Sequence, residues 1–378
     1  MSNKKIITIG KDKIGYGCPT YIIAEVSCNH MGSYDTAVSI IRAAALSGAN
    51  AVKLQTYTAD TMTIDSDKPP FRIGGEDNPE LWKGKTLYAL YKEAYTPWEW
   101  QKDLQTVAHS LGIELFSTPF DPSAVEFLER ELNPPCYKVA SYELTDDTLL
   151  IAIAQTKKPV IISNGYATLE ELEHAVMLLR EYGTEDIVIL YCVTEYAEGP
   201  TTNGVNLSTI NDIEKHFNTI VGFSDNNGGV DTPTLAVLSG ATVIEKHIIS
   251  SKNDASYDQR FSIDGDEFAV MVERIRAVES LDEDARSAKL KEIDPSGLWG
   301  GAPTYGPTSD LEQYNRRWRR SLFVTEDMKR GEAFTSTNVR SIRPEGGLAP
   351  KHYFEVLGKV AVVDIERGTP LMWEHIAM

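Results

Sequence analysis

With 378 residues, 42% of them hydrophobic and 24% charged, the chain can bury a large core and is neither disordered nor fibrous in composition. Its formal net charge of −18 argues against nucleic acid as a partner and means that an anionic ligand needs cations gathered locally. No run approaches the roughly 18 apolar residues of a membrane span, and MSNKKIITIG lacks a long apolar core and a cleavage site, so a cytoplasmic protein with no membrane partner is expected.

The first strong pattern is IIAEVSCNHMGSYDTAVSIIRAAALSGANAVKLQTY, residues 22–57. An apolar run ends on Glu25, an amphipathic helix follows with small residues on one face, Gly48 closes it, and a second apolar run ends on Lys53 and Gln55. This predicts a strand, a helix and a strand. Ionised groups at the ends of buried strands are costly unless paired or solvated, so these three residues read as a site. Similar β-branched runs recur at Tyr21 to Glu25, Ala51 to Gln55, Ile113 to Thr118, Cys136 to Ala140, Pro159 to Ser163, Ile187 to Cys192, Ile220 to Ser224 and Ala241 to His247. Helical spacing lies between most of them, as in 168–182, where Thr168 and Glu171 form a capping signature. Such alternation predicts an α/β fold, either a (β/α)8 TIM barrel or a doubly wound open sheet. The polar residues favour the barrel. Glu25, Lys53, Gln55, Thr118, Lys138, Ser141, Glu143, Ser163, Asn164, Thr194, Ser224, Asp225, Glu245 and His247 all fall at carboxyl ends of separate strands, which only a barrel gathers at one mouth.

A long insertion, 58–112, breaks the alternation. Its aromatic content (Phe71, Trp82, Tyr88, Tyr91, Tyr95, Trp98, Trp100) predicts an ordered segment folded over the mouth, with a helix resuming near Pro97. After a final helix over 265–281, residues 282–320 carry charge-rich, Pro/Gly-rich and basic (NRRWRR) pieces and read as an interdomain linker. From Ser321, short β-like runs with glycines at turns predict a small second domain, 321–378, after a first domain of 1–281. Cys18, Cys28, Cys136 and Cys192 show no CxxC spacing and read as reduced thiols.

The motifs IIAE with NH, AVKLQTYT, FSTPFD, YKVASYE, SDNN before IEKH, RSLFV, SIRP, VLGK and RGTPL together resemble the sialic acid synthase family over essentially the whole chain. The wording of KLQTYTADTMTIDSDKPPF, LWKGKTLYALYKEAYTPWEW and SIRPEGGLAP is most similar to its pseudaminic acid synthase branch. The resemblance implies a TIM barrel followed by an antifreeze-like SAF domain. It implies condensation of phosphoenolpyruvate with an acylated amino sugar to give a nine-carbon 2-keto acid and phosphate. It implies that Lys53, Thr118, Lys138, Ser141, Ser163, Thr194 and Ser224 hold phosphoenolpyruvate. Gln55, Glu143, Tyr196, Asp258 and Arg343 match sugar-binding positions, and Glu25 matches a catalytic carboxylate. His247 and Asn226 match positions for a divalent metal (Mn, Mg or Co). In the family the arginine reaches a neighbouring subunit, which implies a domain-swapped homodimer.

Three departures stand out. Asn226 occupies the place of a second metal histidine and, as a carbonyl oxygen donor, favours harder ions. Ser256 and Tyr257 replace a usual Gly-Pro before Asp258, and the stretch 298–304 has no placeable counterpart. The plainer alternatives are that His247 is an ordinary strand-end residue, that His30 caps a helix, and that Lys53 and Lys138 are solvated strand-end lysines, against which both lysines follow apolar runs toward the same mouth; His109, His174 and His216 read as surface residues. Two rival functions follow: an N-acetylneuraminate or legionaminate synthase, and a metal-impaired synthase-like protein that only binds sugar.

Overall fold

A computed structural model describes residues 5–74, 82–196 and 205–377. It opens with an unforeseen antiparallel hairpin of β1 (Ile6–Ile9) and β2 (Asp12–Gly15). Ile7, Ile9 and Ile14 of this hairpin are buried against Tyr21, Ala51 and Ile220, the first residues of three barrel strands, and so plug the end remote from the mouth.

Eight parallel strands follow: β3 (Tyr21–Glu25), β4 (Ala51–Thr56), β5 (Glu114–Pro119), β6 (Tyr137–Val139), β7 (Val160–Ser163), β8 (Ile187–Val193), β9 (Ile220–Asp225) and β10 (Val243–His247). They pair in chain order, and β10 returns beside β3 with Val243 to His247 opposite Tyr21 to Glu25, so the sheet is a closed barrel and the open-sheet alternative falls. The two-residue period of a strand sorts the side chains. Val52 and Leu54 face the helices and join the outer core, whereas Ala51 faces the axis, which puts Lys53 and Gln55 inside as well. By the same alternation Glu245 and His247 point inward and Lys246 outward, where its ammonium pairs with Asp225 Oδ2 at 2.7 Å, both fully buried.

Helix Leu169–Glu181 starts with the capping box foreseen from Thr168 and Glu171. The insertion holds short helices at Ala59–Met62 and Leu87–Ala94 before helix Trp98–Ser110, and Leu87, Leu90 and Tyr91 cluster with Tyr57 and Phe120 above the strand ends. Its residues 75–81 lie outside the described residues. The stretch read as a linker is a packed strap instead. Helix Glu283–Ile293 buries no residue, but Asp294 accepts from the Leu298 and Trp299 amides, Trp299 and Tyr305 pack on the barrel core, and Arg319 makes two bonds to Glu171 at 2.8 and 2.9 Å. Arg319 and Arg320 of the basic cluster are buried and each meets acidic partners, Glu171 for the first and Glu143 with Asp146 for the second.

The C-terminal region pairs β11 (Ser321–Val324) with β12 (Val339–Ile342) around Leu322, Val324, Phe334 and Val356. Its third β-like run forms only isolated bridges, such as Ala333 to Val360 and Ala361 to Ile376, because Gly358 and Gly368 turn the chain at φ +85° and +84°. This region docks on the barrel of its own chain. Arg343 N donates to Met62 O (2.9 Å), Thr63 Oγ1 to Arg343 O (2.7 Å) and Ser341 Oγ to Asp146 Oδ2 (2.8 Å), while Phe71 meets Phe323 with ring centres 5.2 Å apart.

Candidate active site

A cavity of about 1450 Å³ opens at the carboxyl ends of the barrel strands. Its floor is ionic. Lys53 Nζ lies 2.5 Å from Glu25 Oε2, donates to Thr118 Oγ1 at 3.0 Å and sits 3.9 Å from Glu245. Lys138 Nζ donates to Ser163 Oγ at 2.7 Å and lies 3.5 Å from the same Glu245, which also accepts from Ser224 Oγ at 3.2 Å. Two buried cations therefore flank one carboxylate at the bottom of the cavity, with Ser141, Ser163 and Ser224 lining it. Glu245 and Glu25 balance the two ammonium groups, so a small dianion is held by them only by displacing carboxylate contacts.

Burial sets the protonation states, and the charges correct them. Burial pushes the Glu25 carboxyl up to about 7, against the pull of Lys53, with Glu245 adding to the rise. Burial pulls the Lys53 ammonium down, but Glu245 and Glu25 outweigh it and the group stays charged. Burial leaves Lys138 below the usual lysine range despite Glu245. Burial opposes the charge on Glu245, yet Lys138 and Lys53 hold it below the usual carboxylate range.

Beside this floor runs a chain of polar groups. Gln55 Nε2 donates to Glu25 Oε1 (2.9 Å) and to Ser27 Oγ (3.0 Å), and Ser27 Oγ donates to Asp258 Oδ2 (2.5 Å), which lies 3.7 Å from His247 Nδ1. Ser27 carried no signal in the sequence. It adopts φ +48°, a left-handed conformation that is costly for a non-glycine residue and that recurs at functional sites. Glu245 was visible at a strand end, but only the distances give it a role between the lysines. Gly165 was also missed: a Cβ there would stand 2.5 Å from Ser141 Oγ, so a glycine is needed for that hydroxyl to sit where it does.

Above the floor, Arg343 reaches the mouth of its own barrel. Its Nη2 and Nε donate to Glu143 Oε1 at 2.6 and 3.1 Å, its Nη1 donates to Tyr91 OH at 3.1 Å, and its guanidinium stands 4.7 Å from the Tyr142 ring centre. Glu143 is fully buried behind Arg343 and is not part of the cavity surface. Thr194 is likewise behind the wall, its amide and hydroxyl both donating to Glu312 Oε1 at 2.8 and 2.7 Å. Tyr196 lines the cavity at φ +55° with its ring against Phe261. Residues 197–204, which follow it, are outside the described residues. His30 is not in the cavity. It is buried in the β3 loop, with Nδ1 accepting from Gly32 N (3.1 Å) and Nε2 bonded to Thr96 Oγ1 (3.0 Å). His174 and His216 make surface contacts to Asp147 and Glu173.

Among the described residues no group of three or more His, Cys, Asp or Glu is placed to hold a metal ion. Two donors nevertheless suit one. Burial, then Lys53, Lys246 and Lys138, hold the His247 imidazole well below its usual range and so neutral, and its buried Nδ1 makes no hydrogen bond among the described residues. Asn226 follows Asp225, the register partner of Lys246, so it stands beside His247 at the mouth. Its amide nitrogen donates to Val193 O (3.0 Å) and Cys192 Sγ (3.3 Å), leaving its carbonyl oxygen for a ligand. A neutral imidazole with an amide oxygen fits a divalent ion whose remaining positions are water or substrate.

Residues 40–287 match the NeuB family and residues 319–377 the SAF domain. The chain belongs to the NeuB family. It is 41% identical to the pseudaminic acid synthase of Campylobacter jejuni over 352 residues, 93% of this chain and 95% of that one. It is 38% identical to the pseudaminic acid synthase of Helicobacter pylori, covering 95% and 98%. The crystal structure of a spore coat polysaccharide biosynthesis protein from Bacillus subtilis superposes with a TM-score of 0.81 over 99% of both chains at 29% identity. Family membership and the closed barrel with its SAF domain thus agree with what the motifs imply.

Proposed function

We propose that this NeuB-family chain is a pseudaminic acid synthase, which condenses phosphoenolpyruvate with 2,4-diacetamido-2,4,6-trideoxy-L-altrose. The observation that carries the reading is the pair Lys53 and Lys138, buried around Glu245 beside Glu25, beneath a mouth lined by Arg343.

In this reading the phosphate and carboxylate of phosphoenolpyruvate displace the Glu245 contacts and take the two ammonium groups, with Ser141, Ser163 and Ser224 donating hydroxyl protons. Thr118 keeps Lys53 aimed at the site, and Thr194 shapes the wall through its backbone. The enol carbon attacks the sugar aldehyde, a C–C bond forms, and the carbonyl oxygen gains a proton to become a hydroxyl. The electron-poor carbon left behind takes water, whose proton passes to Glu25, a carboxyl whose raised pKa suits a base near neutrality. The C–O bond to the bridging oxygen then breaks, phosphate leaves with the second proton of the water, the proton held by Glu25 replaces the one taken up by the new sugar hydroxyl, and the ketone of the 2-keto acid remains. His247 and Asn226 would hold a divalent ion (Mn, Mg or Co), which when bound supplies Lewis-acid polarisation of the aldehyde. Gln55, Tyr196 and Asp258 face the sugar hydroxyls, and Glu143 sets Arg343 for the acyl group.

The protein acts in the cytoplasm in this account, with its domains divided as 1–281, 282–320 and 321–378. The swapped homodimer implied by the resemblance would place the contact of Arg343 with Glu143 between two chains; within one chain it closes in cis. Phosphate release from phosphoenolpyruvate with the diacetamido-trideoxy-altrose, alongside N-acetylmannosamine and the legionaminate precursor, tests the proposal. Release with the first sugar is expected. Release with another sugar alone would overturn the substrate, and wild type silent where Asn226→His is active would identify a metal-impaired relative.

A further inference from the structure

The connector stretch 310–318 was read as linker and has no place in the reaction above, yet it touches every part of the mouth. Glu312 is only 3% exposed and accepts four hydrogen bonds: Thr194 N and Oγ1 on Oε1, and Thr308 N and Oγ1 on Oε2, at 2.7 to 2.8 Å. Asn315 Nδ2 adds a bond to Thr194 O at 3.2 Å, so the helix Asp310–Asn315 is clamped to the end of β8. Arg317 and Tyr314 both donate to Gly74 O in the insertion, at 3.1 and 3.2 Å, and Glu345 N in the C-terminal region donates to Arg317 O at 2.9 Å. The Arg317 guanidinium lies over the rings of Tyr314 and Trp318, at 3.5 and 4.2 Å from their centres. Barrel, insertion and SAF domain are thus tied through one short segment.

This segment faces the cavity with Asp310, Leu311, Tyr314, Asn315 and Trp318. Trp318 is buried in one apolar cluster with Tyr57, Met62, Leu90, Tyr91 and Phe120, and the Tyr91 hydroxyl is already engaged by Arg343. The cavity is therefore two-faced, with an ionic floor and, at the mouth, one carbon-rich patch around Trp318 within an otherwise polar rim. A ligand matched to both has an anionic or strongly polar reacting end and methyl-bearing substituents at the other. A hydroxymethyl group against the same wall would lose water without a replacement hydrogen bond.

Resting on the reading under Proposed function, we infer that residues 310–318 form a specificity-determining wall of the sugar site. Trp318 recognises methyl-bearing deoxy or N-acyl substituents, and Glu312 is the positioning residue that holds the wall in place. The chemical class selected is a deoxy, N-acylated amino sugar, and a fully hydroxylated one is disfavoured.

The test is steady-state kinetics with the diacetamido-trideoxy sugar and with its 6-hydroxy counterpart, at saturating phosphoenolpyruvate, for wild type, Trp318→Ala, Trp318→Phe and Glu312→Gln. Trp318→Ala raises the KM of the deoxy sugar at least about 10-fold, leaves the KM of phosphoenolpyruvate unchanged, and narrows discrimination between the two sugars. Trp318→Phe restores most of it, and Glu312→Gln shifts sugar KM in the same direction. Equal rises in both substrates' KM, or discrimination unchanged in Trp318→Ala, would overturn the inference; should that variant not fold, Glu312→Gln carries the comparison, a higher KM for the deoxy sugar alone supporting the wall and an unchanged one overturning it. If wild type turns over neither sugar, the functional reading fails by itself. Calorimetric titration of the deoxy sugar into wild type, Trp318→Ala and Glu312→Gln then decides the wall: tighter binding to wild type supports it, and equal affinity in all three or no binding overturns it.

Discussion

Replacing Arg343 by methionine keeps most of the side-chain stem and removes the guanidinium. In the intact protein that group gives two bonds to one oxygen of Glu143, at 2.6 and 3.1 Å, and one to Tyr91. Glu143 is fully buried, so the variant strands a carboxylate, a loss of about 3–5 kcal/mol when nothing else replaces the partner. Arg320 Nε stands 3.5 Å from the same oxygen and compensates in part, which places the expected destabilisation near the lower end, about 3 kcal/mol. Removing the acid as well, in Arg343→Met with Glu143→Leu, recovers much of this loss, because Arg320 keeps its bonds to Thr61 O and Ser341 O. Urea unfolding of the four proteins in this double-mutant cycle, followed by both tryptophan fluorescence and circular dichroism to establish a single transition, gives a coupling of about 2–3 kcal/mol. The coupling is independent of protein concentration where the contact closes within one chain, as it does here. A value below about 0.5 kcal/mol, or one that grows with concentration, would refute the docking described here.

Other outcomes follow from the same geometry. Lys138→Met raises the KM of phosphoenolpyruvate by about 30-fold or more, the loss of a buried charged hydrogen bond of at least about 2 kcal/mol; initial rates at fixed sugar check it. Gly165→Ala pushes on Ser141 Oγ and raises the same KM while leaving that of the sugar alone. His30 is held neutral by burial, which lowers its pKa to about 4 from an unfolded value near 6.5. Between those values the unfolded chain binds a proton that the folded chain does not, so stability falls as pH drops through 6.5 toward 4. From pH 7 to 4.5 wild type therefore loses about 2–3 kcal/mol more than His30→Gln, and parallel stability profiles for the two would contradict this. Removal of divalent ions by a chelator lowers turnover, and Asn226→His shifts the restoring ion toward softer metals, which a titration of each ion into the stripped enzyme reads out.

Most of the barrel was legible because buried parallel strands are continuous β-branched runs, and because polar residues at their ends have no packing reason to be there. Lys53, Lys138, Glu25 and His247 were found that way. What escaped has physical causes. The N-terminal hairpin is too short to show a period, and Ser27 and Gly165 matter through backbone conformation and close approach, which a side-chain pattern does not encode. Glu143 and Thr194 carry polar groups like those of the site but spend them on Arg343 and Glu312, a distinction visible only in distances. The connector looked like a linker because its composition is polar, and its buried arginines and Glu312 are explained only by partners far away in sequence.

The central claim, that this site joins phosphoenolpyruvate to a sugar aldehyde with loss of phosphate, is most directly tested with phosphoenolpyruvate labelled by oxygen-18 at the bridging position. With the diacetamido-trideoxy-altrose present, the account predicts sugar-dependent phosphate release in which the label leaves with the phosphate and a nine-carbon 2-keto acid appears in equal amount. Phosphate release that does not depend on the sugar, or label retained in the keto acid, would contradict it.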